Sequence, residues 1–178
     1  QTDVLTAMLT AGGDLATLMA EVAESKRGGD GSDLTSQLMN AELEDDRLTG
    51  ADLASFFILL VVAGNETTRN AIAWGLKFLT DNPAQRAIWA ADFEGVAPTA
   101  VEEIVRLASP VTYMRRTALA DTELSGQRIP AGDKVAMYYL AANRDEAVFE
   151  RPYELDLLRD PNPHVGFGGP GPHFCLGA

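Results

Sequence analysis

The sequence predicts a mainly α-helical protein with a small β portion, and three observations carry that reading. One is a segment of roughly thirty residues, from Thr49 to the Asp81-Asn82-Pro83 stop, whose apolar positions recur at helical spacing. Another is the change to period two after Pro110. The third is residues 167–178, where four glycines and two prolines exclude both a regular helix and a strand interior.

Composition sets the outer bounds. A chain of 178 residues, 46% hydrophobic, buries a sizeable core and is expected to form one domain. It begins at Gln1 rather than Met, and both ends read as cut. The net charge of −12 argues against nucleic acid and anionic membrane as main partners. The longest apolar run, residues 56–63, is too short to span a bilayer, so no transmembrane segment is expected. A single cysteine excludes an internal disulfide and fits a reducing cytoplasm. With one Cys and two His, a structural zinc site would need carboxylates and is set aside.

Each element follows in turn. Residues 4–24 form an amphipathic helix that Gly12-Gly13 is expected to kink or interrupt. A polar loop covers 25–32, and a second helix covers 33–43 with Leu34, Leu38 and Met39 inward. The acidic run 42–46 reads as a solvated turn. Thr49 then caps the long helix, with Asp52 favouring its positive end. At about 45 Å that helix is longer than a small domain is wide, and it is read as central and buried in a body larger than this chain provides.

Pro83 opens a short helix over 83–91. Thr99-Ala100-Val101-Glu102 reads as a capping box opening a helix through Leu107, which Ser109-Pro110 ends. A strand is expected over 111–118, and 124–129 with 134–140 read as a hairpin around the Pro130–Asp133 turn. Asn143-Arg144-Asp145 forms a short element, and 149–162 is an irregular meander.

Four places stand out chemically. Ala63-Gly64-Asn65-Glu66-Thr67-Thr68 sets an acid and two hydroxyls in the middle of an apolar helix, either as a polar surface patch or as a functional opening. Glu103 and Arg106 share one helix face, which by itself is an ordinary exposed pair. Arg115-Arg116 is a basic pair in an acidic chain. The loop at 167–178 either buries Cys175 as a structural residue or presents its sulfur, a soft ligand suited to iron.

Taken together, these motifs resemble the cytochromes P450, the haem-thiolate monooxygenases. The resemblance covers residues 33–178 and implies that fold, in part, from the central long helix to the cysteine loop. It further implies haem b with Cys175 as the axial iron ligand. Gly171 and Gly177 stand four before and two after Cys175, and His173 takes the place of a propionate-binding residue. Arg116 would reach a haem propionate. Ala63 and Gly64 would lie over the haem's distal face, where Thr67 would position dioxygen and Glu66 would relay protons. Val111 and Thr112 would border the substrate pocket, and Glu103 with Arg106 would lock the fold.

There are two departures. The family's aromatic position, seven before the cysteine, holds Gly168, while Phe167, expected to face the cofactor, stands eight before. The arginine that would complete a triad with Glu103 and Arg106 is replaced by Glu154, leaving Arg151 and Arg159 as substitutes. The longer loop, with Asn162-Pro163-His164-Val165-Gly166-Phe167, resembles a bacterial subgroup acting on sterol and lipid side chains. The implied function is hydroxylation of a hydrophobic small molecule with O2 and electrons from a separate ferredoxin or reductase, in the cytoplasm. Two alternatives remain: a haem-binding protein without turnover, and a structural fragment unable to hold haem alone.

Overall fold

The computed structural model describes residues 2–26, 28–29, 31–43 and 46–178. The chain divides into two compact units, Gln1–Glu66 and Thr67–Ala178.

The first unit contains α1 (Thr2–Ser25), α2 (Leu34–Asn40), the two-residue strands β1 (Glu42–Leu43) and β2 (Asp46–Arg47), and the start of α3 (Gly50–Asp81), which crosses the division. Gly12-Gly13 does not interrupt α1. A Cβ at Gly12 or Gly13 would meet nothing, so no close packing requires those glycines, and the helix runs through both. Its expected apolar face is only partly used. Met19 and Ala23 are buried with Leu53, whereas Val4, Leu5, Met8 and Leu18 are exposed.

Asp33 caps α2 by accepting from the Ser36 amide at 3.1 Å. The helix ends at Asn40 rather than 43, because residues 42 and 43 pair with 47 and 46 in an antiparallel ladder. Leu38 and Met39 pack against the Met19 cluster, but Leu34 is exposed. Of the acidic run, Glu44 and Asp45 lie outside the described residues.

Thr49 and Asp52 close a reciprocal capping box on α3. The Asp52 amide donates to Thr49 Oγ1 at 3.2 Å, and the Thr49 amide donates to Asp52 Oδ2 at 2.9 Å. The Thr49 hydroxyl also donates to Asp52 Oδ2 at 2.6 Å, and that bond first, then the one from the Thr49 amide, holds the Asp52 carboxyl below its ordinary value. At 32 residues α3 is about 48 Å long. The cover that its predicted burial calls for is not supplied within this chain: Leu59, Val62, Ile72 and Leu76 are all more than half exposed. Within this chain the apolar sides of α3 find few partners. By length and composition alone α3 is also apolar enough to cross a membrane, which the eight-residue run at 56–63 understated. The core helix of a soluble protein meets the same criterion.

The second unit continues with α4 (Pro83–Ala91) and α5 (Phe93–Ala108). The helix expected from Thr99 starts six residues earlier, because Asp92 caps it by accepting from the Gly95 amide at 3.0 Å. Thr99 is interior, its hydroxyl bonded to the Val96 carbonyl. Val96, Ala100 and Leu107 of α5 form the core with Leu155 and Leu157, and Phe78, Leu79 and Trp89 pack against them.

Ser109 ends α5 in the left-handed region (φ 39°). Beyond it lie β3 (Met114–Thr117), β4 (Thr122–Leu124), β5 (Gln127–Ile129), β6 (Lys134–Met137) and α6 (Tyr139–Ala142). The expected pairing is corrected. β4 and β5 make their own hairpin, while β6 pairs antiparallel with β3. Ser125 (φ 51°) and Gly126 (φ 80°) both have positive φ, the geometry of a tight two-residue hairpin turn. The Pro130–Asp133 turn forms as expected, with the Asp133 amide donating to the Pro130 carbonyl. Residues 149–162 contain no helix or strand.

Candidate functional site

The site is built outward from α5. A helix presents residues three apart on one face, so Glu103 and Arg106 meet, and here both are fully buried. Arg106 Nε donates to Glu103 Oε2 at 2.7 Å and Nη2 to Oε1 at 2.8 Å. This bidentate pairing suits the planar guanidinium. The exposed-pair reading therefore fails, and the fold-locking reading fits.

The missing triad arginine is also found. Arg159 Nε donates to Glu103 Oε2 at 3.0 Å and is itself nearly buried, while Arg151 points outward to Glu154 and Asp156. Asn162 Nδ2 adds a bond to Glu103 Oε2 at 3.1 Å, and the Asp156 amide one to Oε1 at 3.0 Å. One carboxylate thus receives donors from its own helix and from three positions along the meander.

Arg106 spends its remaining donors on backbone. Nη1 reaches the carbonyls of Asn143 (2.8 Å) and Pro152 (2.7 Å), and Nη2 that of Glu154 (3.2 Å). Its guanidinium also lies 5.1 Å from the Phe149 ring centroid. Arg159 similarly holds the Glu150 carbonyl at 2.8 Å. The meander has no ladder of its own, and these side chains satisfy the carbonyls that a ladder would. Arg144 donates to the Leu107 carbonyl at the end of α5, and burial, then the charge of Arg106, pushes its pKa below the ordinary arginine value.

The meander delivers the chain to the cysteine loop. Asn143, fully buried, donates to Ser109 Oγ and accepts from the Val165 amide at 2.8 Å. The Gly168 amide donates to the Val165 carbonyl, and the Cys175 amide to the Phe167 carbonyl at 3.0 Å. Gly168 (φ 93°) and Gly171 (φ 138°) occupy backbone conformations that glycine alone adopts freely. A Cβ at Gly169, Gly171 or Gly177 would meet nothing. The thiol of Cys175 is exposed, as are His173 and Phe174, which excludes the buried structural cysteine. Phe167 is half-buried and meets Phe174 edge-on, with centroids 6.5 Å apart. A polarizable sulfur displayed on an open, glycine-lined face fits a flat iron-bearing group.

The other expected residues are placed as follows. Arg116 lies on β3 opposite Val135 and is exposed, with Nη1 on the Arg115 carbonyl at 3.2 Å. Val111 is half-buried and Thr112 exposed, the latter's carbonyl accepting from the Leu140 amide. Ala63, Gly64, Glu66 and Thr67 lie on unbroken α3 at the division between the units. Thr67 is half-buried and the other three are exposed. The sequence offers no long-range partner for Asn143 or Asn162, and reads Glu102 only as part of a local capping box. Their partners are 22 to 62 residues away, and no local period signals them.

Comparisons with known proteins agree with this geometry. The profile of the cytochrome P450 family matches residues 96–178. The chain is 58% identical over 165 residues to a methyl-branched lipid omega-hydroxylase of Mycobacterium tuberculosis, covering 93% of this chain and 39% of that protein. It is 45% identical over 159 residues to a steroid C26-monooxygenase of the same organism, covering 89% and 36%. Among solved structures, a Mycobacterium marinum cytochrome P450 in complex with pseudoionone matches at 57% identity and TM-score 0.82, over 92% of this chain and 40% of that one. A Bacillus megaterium protein in complex with testosterone matches at 35% identity and TM-score 0.92, over 99% and 49%. The chain spans about two fifths of the length of the curated relatives it matches. The family's prosthetic group is haem, held through a cysteine thiolate. With the buried Glu103–Arg106–Arg159 network, the displayed thiol and these relatives in agreement, the chain belongs to the cytochrome P450 family.

Proposed function

We propose that this chain supplies the thiolate ligand and the proton-handling residues of a haem-dependent monooxygenase that hydroxylates C–H bonds of a hydrophobic lipid or steroid side chain. The observation that carries the reading is the exposed thiol of Cys175, on a glycine-lined loop tied through its backbone to Phe167. The overall change takes R–H, O2, two electrons and two protons to R–OH and water.

When bound, haem supplies dioxygen activation and oxygen insertion. The chain's own residues do the rest. Cys175, as thiolate, donates electron density to the iron. Arg116 would offer its guanidinium, and His173 a ring N–H, to the propionates. The Thr67 hydroxyl holds a water by hydrogen bonding, and the Glu66 carboxylate exchanges protons with solvent, which its exposure permits. Ala63 and Gly64 keep that face of α3 low, so a flat group can approach it. Val111 and Thr112 border the substrate. The lipid and steroid preference rests on the names of the relatives in the two mycobacterial groups.

Further points complete the reading. Both units belong to one catalytic domain. Electrons come from a separate ferredoxin or reductase. The location is cytoplasmic, in keeping with a lone unpaired thiol. α3 is an internal helix rather than a membrane span, because Glu66 and Arg69 fall near its midpoint, where a bilayer would tolerate them least.

The test is the absorption spectrum of the reduced, carbon monoxide-bound full-length protein. A strongly red-shifted Soret band that Cys175→Ala abolishes is expected. A haem band without that shift, unchanged by the substitution, refutes the assignment. The exposed apolar sides of α3 support one further expectation: the 178-residue chain alone holds haem weakly or not at all. A tightly held, stoichiometric haem in it would overturn that expectation.

A further inference from the structure

We propose that His164, anchored by Glu102, is a positioning residue for the cysteine loop, setting where the Cys175 sulfur stands and how firmly it is held. The inference rests on the reading of Cys175 as the thiolate ligand.

The His164 side chain is only 3% exposed. Its Nδ1 faces the Gly166 amide at 3.0 Å, and an amide can only donate. The ring proton therefore sits on Nε2 and points at Glu102 Oε2, 2.7 Å away on α5. Both ring nitrogens are committed, one to a helix and one to the loop's own backbone. The ring also packs against Phe167, with centroids 5.6 Å apart, and the Phe167 carbonyl receives the Cys175 amide. Contacts thus run unbroken from the surface of α5 to the ligand's own N–H.

The space around the ring is filled. A Cβ at Gly166 would come within 2.6 Å of Val105 Cγ1 on α5 and 3.0 Å of His164 Nδ1. The backbone therefore passes as close to α5 as it can, and the imidazole fixes its approach. α5 carries two adjacent acids with different tasks. Glu103 faces inward and holds the meander, while Glu102, about half exposed, holds the histidine. The histidine in turn orients the segment whose carbonyl anchors the loop. Partners of this kind, one step removed from a metal ligand, orient it and tune the metal.

The experiment uses the haem-loaded, full-length protein and follows the red-shifted band of the reduced, carbon monoxide-bound form over time, with the reduction potential measured alongside. His164→Ala is expected to bind haem yet lose that band about tenfold faster, with a shifted potential. Glu102→Ala is expected to move both readouts in the same direction and less far. Glu102→Gln, which keeps an oxygen to accept from Nε2, is expected to restore wild-type values, a rescue that a merely space-filling role would not show. If His164→Ala fails to load haem, Glu102→Ala and Glu102→Gln decide the matter, since that position is at the surface. Wild-type decay and potential in Glu102→Ala, while Cys175→Ala abolishes the band, overturn this inference and leave the proposed function intact. A red-shifted band that survives Cys175→Ala removes the reading beneath both.

Discussion

Up to Glu66, the chain is held by a small apolar cluster of Met19, Ala23 and Leu53 and by bonds at or near the surface, such as Asp33 to Ser36 and Thr49 to Asp52. From Thr67 onward a larger apolar cluster is joined by the buried charges of Glu103, Arg106 and Arg159. Apolar contact is non-directional and will hold helices together in several ways. A buried guanidinium has fixed donor directions and accepts few alternatives. The second unit uses those directions where it has no regular structure to rely on, along the meander that leads to Cys175.

The sharpest way to break this comparison is Arg106→Ala. It leaves the Glu103 carboxylate buried and short of donors, and is expected to cost about 3–5 kcal/mol in urea unfolding of the chain. Near-wild-type stability would show that the charges are ornamental. Next in size is Leu157→Ala, at a fully buried position, with an expected loss of about 2–4 kcal/mol by the same measurement. Its counterpart Leu59→Ala, on the exposed side of α3, is expected to stay within about 0.5 kcal/mol. Equal losses at the two leucines would mean that α3 is better covered than this chain shows.

Smaller effects sharpen the picture of the first unit. Thr49→Ala removes half of the capping box and is expected to cost about 1 kcal/mol, read as lost helical circular dichroism on mild heating. Asp33 gives a pH signature instead. Hydrogen bonding from Lys26, then from the Ser36 amide and hydroxyl, holds its carboxyl at about 2 against an ordinary 3.8. A depressed carboxylate stabilises fully above 3.8 and loses that contribution as pH falls towards 2. Asp33→Asn is therefore expected to flatten the acid limb of the unfolding curve between those values. An unchanged acid limb would show that the α1–α2 junction does not depend on this cap.

Much of this was legible in the sequence because it was local. The Thr49 cap, the Pro83 start and the α3 stop are written within a few residues, and the structure has them. The Thr99 box failed because Asp92 offered an equally local cap about two turns earlier, and Pro98 was no barrier to a helix already begun. The 124–129 strand is broken because Ser125-Gly126 turns the chain back at once, ahead of the Pro130 turn. The cysteine loop was readable from its glycines and prolines. Its supports were not. Arg159 on Glu103, Asn143 on Val165 and His164 on Glu102 join residues 22 to 62 apart, and only folding reveals such partners.

The donation from the Asp156 amide to Glu103 and from the Leu157 amide to Gln85 has a consequence for motion. These two amides sit in a stretch without helix or strand, where solvent exchange is ordinarily fast. Here each is closed by a side chain from a helix, so they open only when α5 or α4 gives way. Slow deuterium uptake at 156 and 157 would thus time the loosening of helices more than fifty residues upstream, making irregular backbone a clock for regular structure.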